Sequence, residues 1–170
     1  SKYRPKRSGA LNSITRSTTP RSQRTTRTMK QTAPRAGTRG FRAPEVLMRA
    51  PNQTTSIDVW SVGVCLLCLL TRRYPFFNSP DDITGFLEIA CVLGSNRLSK
   101  AADAIGKRLT FPKEFKSVPF DTLVSTFNPD LHKSVPACAI ELLELLLEPE
   151  CDKRITAEDA LKKEFVTMFV

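Results

Sequence analysis

Acidic residues are absent from the first 36 positions of this 170-residue chain, although those positions hold ten of its 26 Lys and Arg residues. Large apolar residues are also few there and show no period, so burial cannot offset the entropy cost of ordering the segment. Residues 37–170 carry the other sixteen cations and all seventeen acids. The net charge of +9 therefore belongs to a basic arm, residues 1–36, which we predict to be disordered, and not to the domain behind it.

Long hydrophobic runs and an initiating methionine are missing too. The longest apolar stretch, Val62 to Leu70, is far shorter than the roughly 18–20 residues of a membrane span, and no signal peptide is visible, so we expect no membrane partner. We take the start at Ser1 as a sign that the chain is a fragment, either of a gene or of a longer protein.

Groups typical of metal sites are scarce. The five cysteines are odd in number and, without a secretory signal, indicate reduced thiols of the cytosol or nucleus. Cys65 and Cys68 have the spacing of half a zinc site, but they lie in an apolar helix pattern and no second pair matches them. We therefore expect both to pack in the core, and we expect His132, the single histidine, to be neither ligand nor base.

Helical patterns dominate residues 37–170, whereas alternating strand patterns and internal repeats are not found. We predict helices over residues 44–48, 57–70, 80–93, 99–107 and 137–148, and a last helix that opens at residue 156. Ser56, Ser79 and Thr156 are the predicted N-caps, with Asp159 in the capping-box position. The helix over 57–70 is apolar nearly all round, which is typical of a core helix, and Gly63 within it predicts close packing. Residues 110–136 hold four prolines and predict an extended loop, so the fold class is mainly α.

Four short motifs follow one another through the helical region. In chain order they are Ala43-Pro44-Glu45, Asp58-Val59-Trp60-Ser61-Val62-Gly63, Tyr74-Pro75-Phe76-Phe77 and Arg154-Ile155-Thr156-Ala157-Glu158-Asp159-Ala160-Leu161. They resemble the A-P-E end of a protein kinase activation segment, the D-x-W-S-x-G start of the central helix of the C-lobe, the P-F segment after it, and the late R-I-T-A-x-x-A-L element. Each motif alone is weak, but their order and spacing indicate a protein kinase.

A narrower resemblance rests on residues 33–47 together with Pro51-Asn52-Gln53-Thr54-Thr55 and Ile57-Asp58. These strings are similar to the DDK-type cell-division-cycle kinases, S-phase serine/threonine kinases that phosphorylate the MCM replicative helicase and need a regulatory subunit. The resemblance covers about residues 31–93 and 137–165. Because that family carries an insert in the activation segment, the resemblance implies that the arm is the tail of such an insert and that residues 37–170 are a partial C-lobe.

The sequence lacks the motifs with which a kinase binds nucleotide and transfers phosphate. It has no Gly-rich phosphate loop, no V-A-I-K lysine, no H-R-D with its downstream Asn, and no D-F-G. The resemblance implies that the full-length kinase binds ATP and magnesium. We expect this chain alone to bind neither, to contain no catalytic residue, and to be inactive.

Several residues acquire roles from the resemblance. Glu45 of the A-P-E motif is expected to pair with Arg154, and Asp58 is expected to accept backbone N–H bonds from a catalytic loop that this sequence does not contain. Thr38 is expected to help seat the substrate hydroxyl. The plainer alternative for Glu45 and Asp58 is a helix N-terminal charge. Trp60 and the Phe pair at 76 and 77 are expected in the core.

The segment before the A-P-E motif contains three arginines and no acid. A guanidinium presents a planar donor fork that suits a carboxylate or phosphate. We therefore predict that Arg35 and Arg42 bind an acidic or phosphorylated residue that follows the substrate serine or threonine, while Arg39 faces water. In the alternative interpretation, Arg42 only braces the loop.

The function indicated is that of a nuclear serine/threonine kinase, which in full length phosphorylates proteins of the replication origin. Two other classes stay open: a non-catalytic, truncated interaction module, and a helical domain with a nucleic-acid-binding tail. For the arm, a solvated linker, a nuclear import signal at residues 2–7 and nonspecific DNA contact are all considered. Thr19, followed by Pro20, is a candidate phosphorylation site.

Overall fold

The computed structural model describes residues 37–168, and this part of the chain is helical, with no β-strand. Within residues 37–168, nine helices follow in order: α1 Pro44–Leu47, α2 Ser56–Thr71, α3 Asp82–Leu93, α4 Ser95–Ala104, α5 Phe120–Phe127, α6 Pro129–His132, α7 Ala137–Leu146, α8 Ala157–Leu161 and α9 Glu164–Thr167. The predicted mainly α fold class is confirmed. None of the described helices has the length and apolar character that crossing a membrane requires.

Helix α2 is the centre of the fold, with α5 and α7 packed against it. Its inner face is buried and supplies much of the core, including Trp60, Val64 and Leu67. Its outer face is open, because Val62 and Leu69 are 57 and 72% exposed. The expectation of a helix buried on all sides is therefore wrong. The apolar residues do surround the helix, but no described segment covers the outer face.

Gly63 lies where α2 meets α7. A Cβ atom at this position would lie 2.8–2.9 Å from side-chain atoms of Leu146 and Leu147, closer than any real Cβ contact. The two helices can approach to their observed distance only because this residue has no side chain. The close packing predicted from Gly63 is thus confirmed.

Helices α5 and α6 lie within residues 110–136, so the prediction of an extended loop over these residues is wrong. Phe120 and Val124 of α5 are buried in the core, which stabilises that helix. Two of the four prolines stand at the starts of these helices, where a missing N–H costs nothing: Pro119 is the N-cap residue of α5, and Pro129 is in the first turn of α6. The Asn128 side chain accepts a bond from the Leu131 N–H and caps α6.

The starts and ends of several helices also differ from the prediction. The Thr156 cap of α8 is confirmed, since its hydroxyl accepts the Asp159 N–H at 3.1 Å. Ser56 is not a cap; its own N–H is accepted by the Thr54 hydroxyl. Ser79 is not a cap either, because Asp81 takes that position on α3. Helix α4 begins four residues before its predicted start, and α7 ends two residues before its predicted end.

Asp81 is an N-cap whose contribution depends on pH. Its carboxylate accepts the N–H groups of Thr84 and Ile83 at 2.9 Å and the Thr84 hydroxyl at 2.9 Å, and these bonds hold the pKa of Asp81 below its ordinary value. A lowered folded-state pKa stabilises the protein above the unfolded pKa of about 3.9, and this stabilisation is lost as the pH falls through the folded value.

Below about pH 4, we expect the melting temperature of the chain to decrease. It should decrease less in Asp81→Asn, which keeps a capping oxygen but does not titrate. Thermal melts between about pH 3 and pH 6 measure this. Asp103→Asn is the control, because Asp103 is exposed on α4 and its carboxylate forms no hydrogen bond within residues 37–168. Identical pH profiles for the chain and Asp81→Asn would contradict the assignment.

Candidate functional site

The segment that precedes α1 forms a turn on the surface. The Phe41 N–H donates to the Thr38 carbonyl at 3.1 Å, and Thr38 is exposed. Gly40 has φ +80°, and a Cβ atom there would collide with the Phe77 carbonyl oxygen. A glycine is therefore required for the turn to approach the segment that follows α2. Thr38 is accessible, as a residue that contacts substrate must be, but its substrate role stays a prediction.

An ion pair joins the start of α1 to the loop before α8. Arg154 Nη1 lies 2.7 Å from Glu45 Oε1, and Nη2 lies 3.0 Å from Oε2, so the two groups meet as a fork on a fork. Their side chains are 0 and 2% exposed. The predicted buried pair is present, and its bidentate geometry is the strong form of this interaction. It fastens α1 to the C-terminal helices.

Arg154 has further partners that the sequence analysis did not identify. Its Nε donates to the Glu148 carbonyl at 2.8 Å, and its Nη1 also donates to the Ser56 carbonyl at 2.8 Å. The guanidinium carbon lies 5.1 Å from the centre of the Trp60 ring. One side chain thus connects α1, the start of α2 and the loop after α7. Trp60 is in the core, as predicted, and forms part of this junction.

Ser61 provides a second connection that sequence reasoning missed. Its hydroxyl lies 3.1 Å from the carbonyl oxygens of both Phe41 and Ile57, so it can donate to either. The sequence indicates only one of these two bonds, because Ser61 lies one helical turn after Ile57 and can reach its carbonyl. Nothing in the sequence indicates the contact with Phe41. The bond to Phe41 holds the turn before α1 against the central helix.

Arg42 points to an acid of the chain itself. Its Nε donates to the Gly37 carbonyl at 2.9 Å, and its Nη1 lies 3.1 Å from Asp82 Oδ1, with both side chains largely buried. These contacts favour the alternative in which Arg42 braces the loop. Asp82 is the partner that sequence reasoning did not find, because 40 residues separate the two. Arg39 is exposed, as predicted.

Asp58 lies on the open face of α2, one turn before Val62. Its carboxylate is exposed, and it forms no hydrogen bond with any residue in the described range 37–168. It borders a cleft of about 450 Å³ between the start of α2 and the loop that carries Arg154. An exposed carboxylate is solvated, so the desolvation cost that a buried, unpaired Asp58 would suffer does not arise.

The remaining residues singled out from the sequence divide into core and surface. Cys68 is buried, which raises the pKa of its thiol, but Cys65 is exposed, so the expectation that both pack in the core holds for one only. Phe77 is buried and Phe76 packs partly against the core. His132 Nε2 lies 2.7 Å from an Asp121 carboxylate oxygen on the surface.

Two predicted sites, Arg35 and Thr19, lie outside the described residues, as does the whole basic arm. Within residues 37–168, no three His, Cys, Asp or Glu side chains converge as a metal site would require. The sequence also lacks a Gly-rich phosphate loop. The side chains of residues 37–168 therefore do not fit magnesium with ATP.

The site consists of the surface turn before α1, which Ser61 connects to α2, and the exposed face of α2. This arrangement is consistent with the C-terminal, helical subdomain of the protein kinase fold. A family model described as the protein kinase domain matches residues 21–166. The chain belongs to the protein kinase family.

Within that family, the chain is similar to the cell division cycle 7 kinases. It is 43% identical over 141 residues to the probable serine/threonine-protein kinase cdc7 of Dictyostelium discoideum, covering 81% of this chain and 13% of that protein. It is 46% identical over 138 residues to the probable cell division control protein 7 homolog 2 of Encephalitozoon cuniculi, covering 78% of this chain and 38% of that protein.

A shorter match is to the human cell division cycle 7-related protein kinase, at 53% identity over 85 residues, covering half of this chain and 15% of that protein. The resemblance to this kinase type, predicted from residues 33–47 together with 51–55 and 57–58, is confirmed. The chain spans between 13 and 38% of the length of these three relatives.

Proposed function

We propose that this chain is the C-terminal part of a cell-cycle serine/threonine kinase and forms the base on which the substrate binds. The observation that carries this proposal is the junction at Arg154, which fixes the end of the activation segment to the central helix. The open face of α2, with Asp58, Val62 and Leu69 exposed, supports it, because a catalytic loop would cover that face in a complete C-lobe.

In the full-length protein, the activity is transfer of the γ-phosphoryl group of magnesium-bound ATP to proteins of the replication origin, such as subunits of the MCM helicase. A regulatory subunit activates the enzyme, and the protein acts in the nucleus during replication initiation. The likeness to kinases named for cell division control supports this assignment.

Two other functions compete with this one. A truncated product could use the helical domain to bind a partner without catalysis, and the basic arm could bind nucleic acid. Reading the coding sequence upstream of Ser1 separates the first: an open frame with H-R-D and D-F-G motifs favours the enzyme, and a start codon beside Ser1 favours the module. DNA binding that is sensitive to salt and is lost when residues 1–36 are removed would favour nucleic-acid binding by the arm.

The chain on its own is expected to phosphorylate nothing and to bind no Mg-ATP, because the groups that hold phosphates and orient the hydroxyl are missing from it. Phosphate transfer to casein and nucleotide binding by calorimetry measure this. Successive purification steps separate the chain from a contaminating kinase. Activity that stays in constant proportion to the chain through these steps would contradict the prediction.

The intact enzyme is expected to prefer a serine followed directly by an acidic residue, with Arg35 as the main reader. Arg35→Ala should remove most of the preference for Asp over Ala after the serine, while activity on the Ala peptide is kept. Arg42 is already paired with Asp82, so Arg42→Ala should lower activity on both peptides by loosening the loop.

Paired peptides and kcat/KM for each enzyme measure this prediction. Asp82→Asn is the matched control for bracing, since it removes the negative charge that Arg42 pairs with and keeps the arginine. If Asp82→Asn leaves activity intact but Arg42→Ala abolishes the Asp preference, Arg42 reads the substrate and does not brace the loop. If the preference survives Arg35→Ala as well, the acid is bound elsewhere.

A further inference from the structure

The segment after α4 forms a fixed wall beside α3. The Val118 N–H donates to the Val92 carbonyl at 2.8 Å, and the Ser95 N–H donates to the Phe115 carbonyl at 2.9 Å. Gly94 has φ +86°, and a Cβ there would lie 2.9 Å from the Ser117 nitrogen. The absence of a side chain at Gly94 therefore lets the segment approach the end of α3. The segment matched no motif in the sequence, yet the structure ties it firmly to the end of α3.

A groove of about 530 Å³ lies between residues 107–112, which precede the bonded residues 115–118, and α3 and the end of α1. Its floor is apolar: the ring of Phe86 is 6.2 Å from that of Phe111, and Leu87 and Leu109 line it as well. Ile83 stands on its edge and is 77% exposed, so its side chain is accessible to a partner. A solvent-exposed groove with an apolar floor is suited to holding apolar side chains.

The charged residues that line the groove are two cations and one acid. Lys107 and Arg108 line it, and neither forms an ion pair with another residue of the range 37–168. The one acid among the lining residues, Asp82, is the partner of Arg42, so its charge is already balanced. The groove therefore combines an apolar floor with two cations available to a partner.

We propose that this groove, which we call the α3 groove, binds a peptide segment of a partner protein that presents apolar side chains flanked by Asp, Glu or phosphorylated residues. The apolar side chains enter beside Ile83 and Phe86, and the acidic groups meet Lys107 and Arg108. The inference holds whether or not the chain belongs to an active kinase, because none of these residues takes part in the proposed substrate base.

Charge also decides among the possible occupants. The arm of the chain itself carries ten cations and no acid, so the rim repels it. Nucleic acid would satisfy the two cations but would leave the apolar floor without a matching surface. An acidic peptide with apolar side chains satisfies both features at once.

The test is a selection from a random display library of peptides of about twelve residues on the immobilised full chain, with Ile83→Glu as the counter-selection target. Ile83 is exposed, so this substitution should leave the fold intact, and circular dichroism and a thermal melt check that it does. Peptides enriched on the chain are expected to combine Asp or Glu with Leu, Ile or Phe.

Synthetic versions of the selected peptides are then measured by fluorescence anisotropy. Binding should weaken roughly tenfold in Ile83→Glu and by a similar factor in the Lys107→Glu, Arg108→Glu double variant, and should weaken as NaCl rises from about 0.05 to 0.5 M. Leu161→Glu and Lys100→Glu, at exposed positions outside the groove, should bind as the unaltered chain does.

Three outcomes overturn the proposal. The first is a selection that enriches no peptide relative to the counter-selection target, or that enriches basic ones. The second is binding of a synthetic peptide of residues 1–36 that Ile83→Glu abolishes, which would make the arm the occupant. The third is a dimer in sedimentation that Ile83→Glu separates into monomers, which would place a second copy in the groove.

Discussion

Glu45→Gln is expected to lower the free energy of unfolding by about 3–5 kcal/mol, because it leaves the Arg154 guanidinium buried without its counter-charge. Arg154→Met is expected to cost at least as much, since it also abandons the carbonyls of Ser56 and Glu148 and the face of Trp60. The double variant is expected to cost less than either single one, because no isolated buried charge remains. Urea unfolding of all four proteins measures the cycle.

The matched control for this cycle is the pair of Lys162 and Glu158, an exposed i,i+4 pair on α8 with a distance of 2.9 Å. Solvent and mobile side chains weaken such a pair, so the same cycle there should show almost no coupling. Equal coupling in the two cycles, or none at Glu45 and Arg154, would mean that burial does not give the inner pair its strength.

Gly63→Ala is expected to destabilise the protein by about 2 kcal/mol, although alanine favours a helix. The added Cβ would lie under 3.0 Å from Leu146 and Leu147 and push α2 away from α7, a strain of about 3 kcal/mol that the helix propensity of alanine reduces by about 1 kcal/mol. Urea unfolding measures the change.

Gly85→Ala is the control for this prediction. Gly85 is also inside a helix, but a Cβ there would meet Ser79 at 3.7 Å, an ordinary contact. This variant should keep the propensity gain and become more stable by up to about 1 kcal/mol. If both alanine variants gain stability, the interface of α2 and α7 is looser than its distances indicate.

The sequence allowed the pair of Glu45 and Arg154 to be predicted because each residue belongs to a motif with a fixed place in the kinase fold. No local pattern would have joined them across 109 residues. The contact of Arg42 with Asp82 has no such motif behind it, and a salt bridge formed by tertiary packing leaves no periodic signal. The same reasoning explains why Arg42 was assigned to a substrate while the structure gives it a partner within the chain.

Helix α2 shows a second limit of sequence reasoning. Apolar residues all round a helix indicate that every face is meant to be covered, and the open positions of Val62 and Leu69 show a face that residues 37–168 leave uncovered. Helices α5 and α6 were missed for a different reason. Prolines were counted as breakers, but a proline at a helix start is compatible with the helix that follows.

The α3 groove could not be anticipated from the sequence. Its wall comes from a stretch with no motif, and its floor combines residues of α3 with Leu109 and Phe111 further along the chain. The positive φ of Gly94 and the bonds to Phe115 and Val118 bring these parts together. Only their placement in three dimensions shows that apolar residues and two cations share one surface.

The most direct test of the central claim is phosphate transfer by the protein encoded by the complete reading frame, assayed beside this chain at equal concentration. Both are given Mg-ATP and two peptides that differ only in Asp or Ala after the serine. We predict that the full-length protein incorporates phosphate, with more on the Asp peptide, and that the chain incorporates none. Absence of transfer by the full-length protein, with its partner subunit supplied, would contradict it.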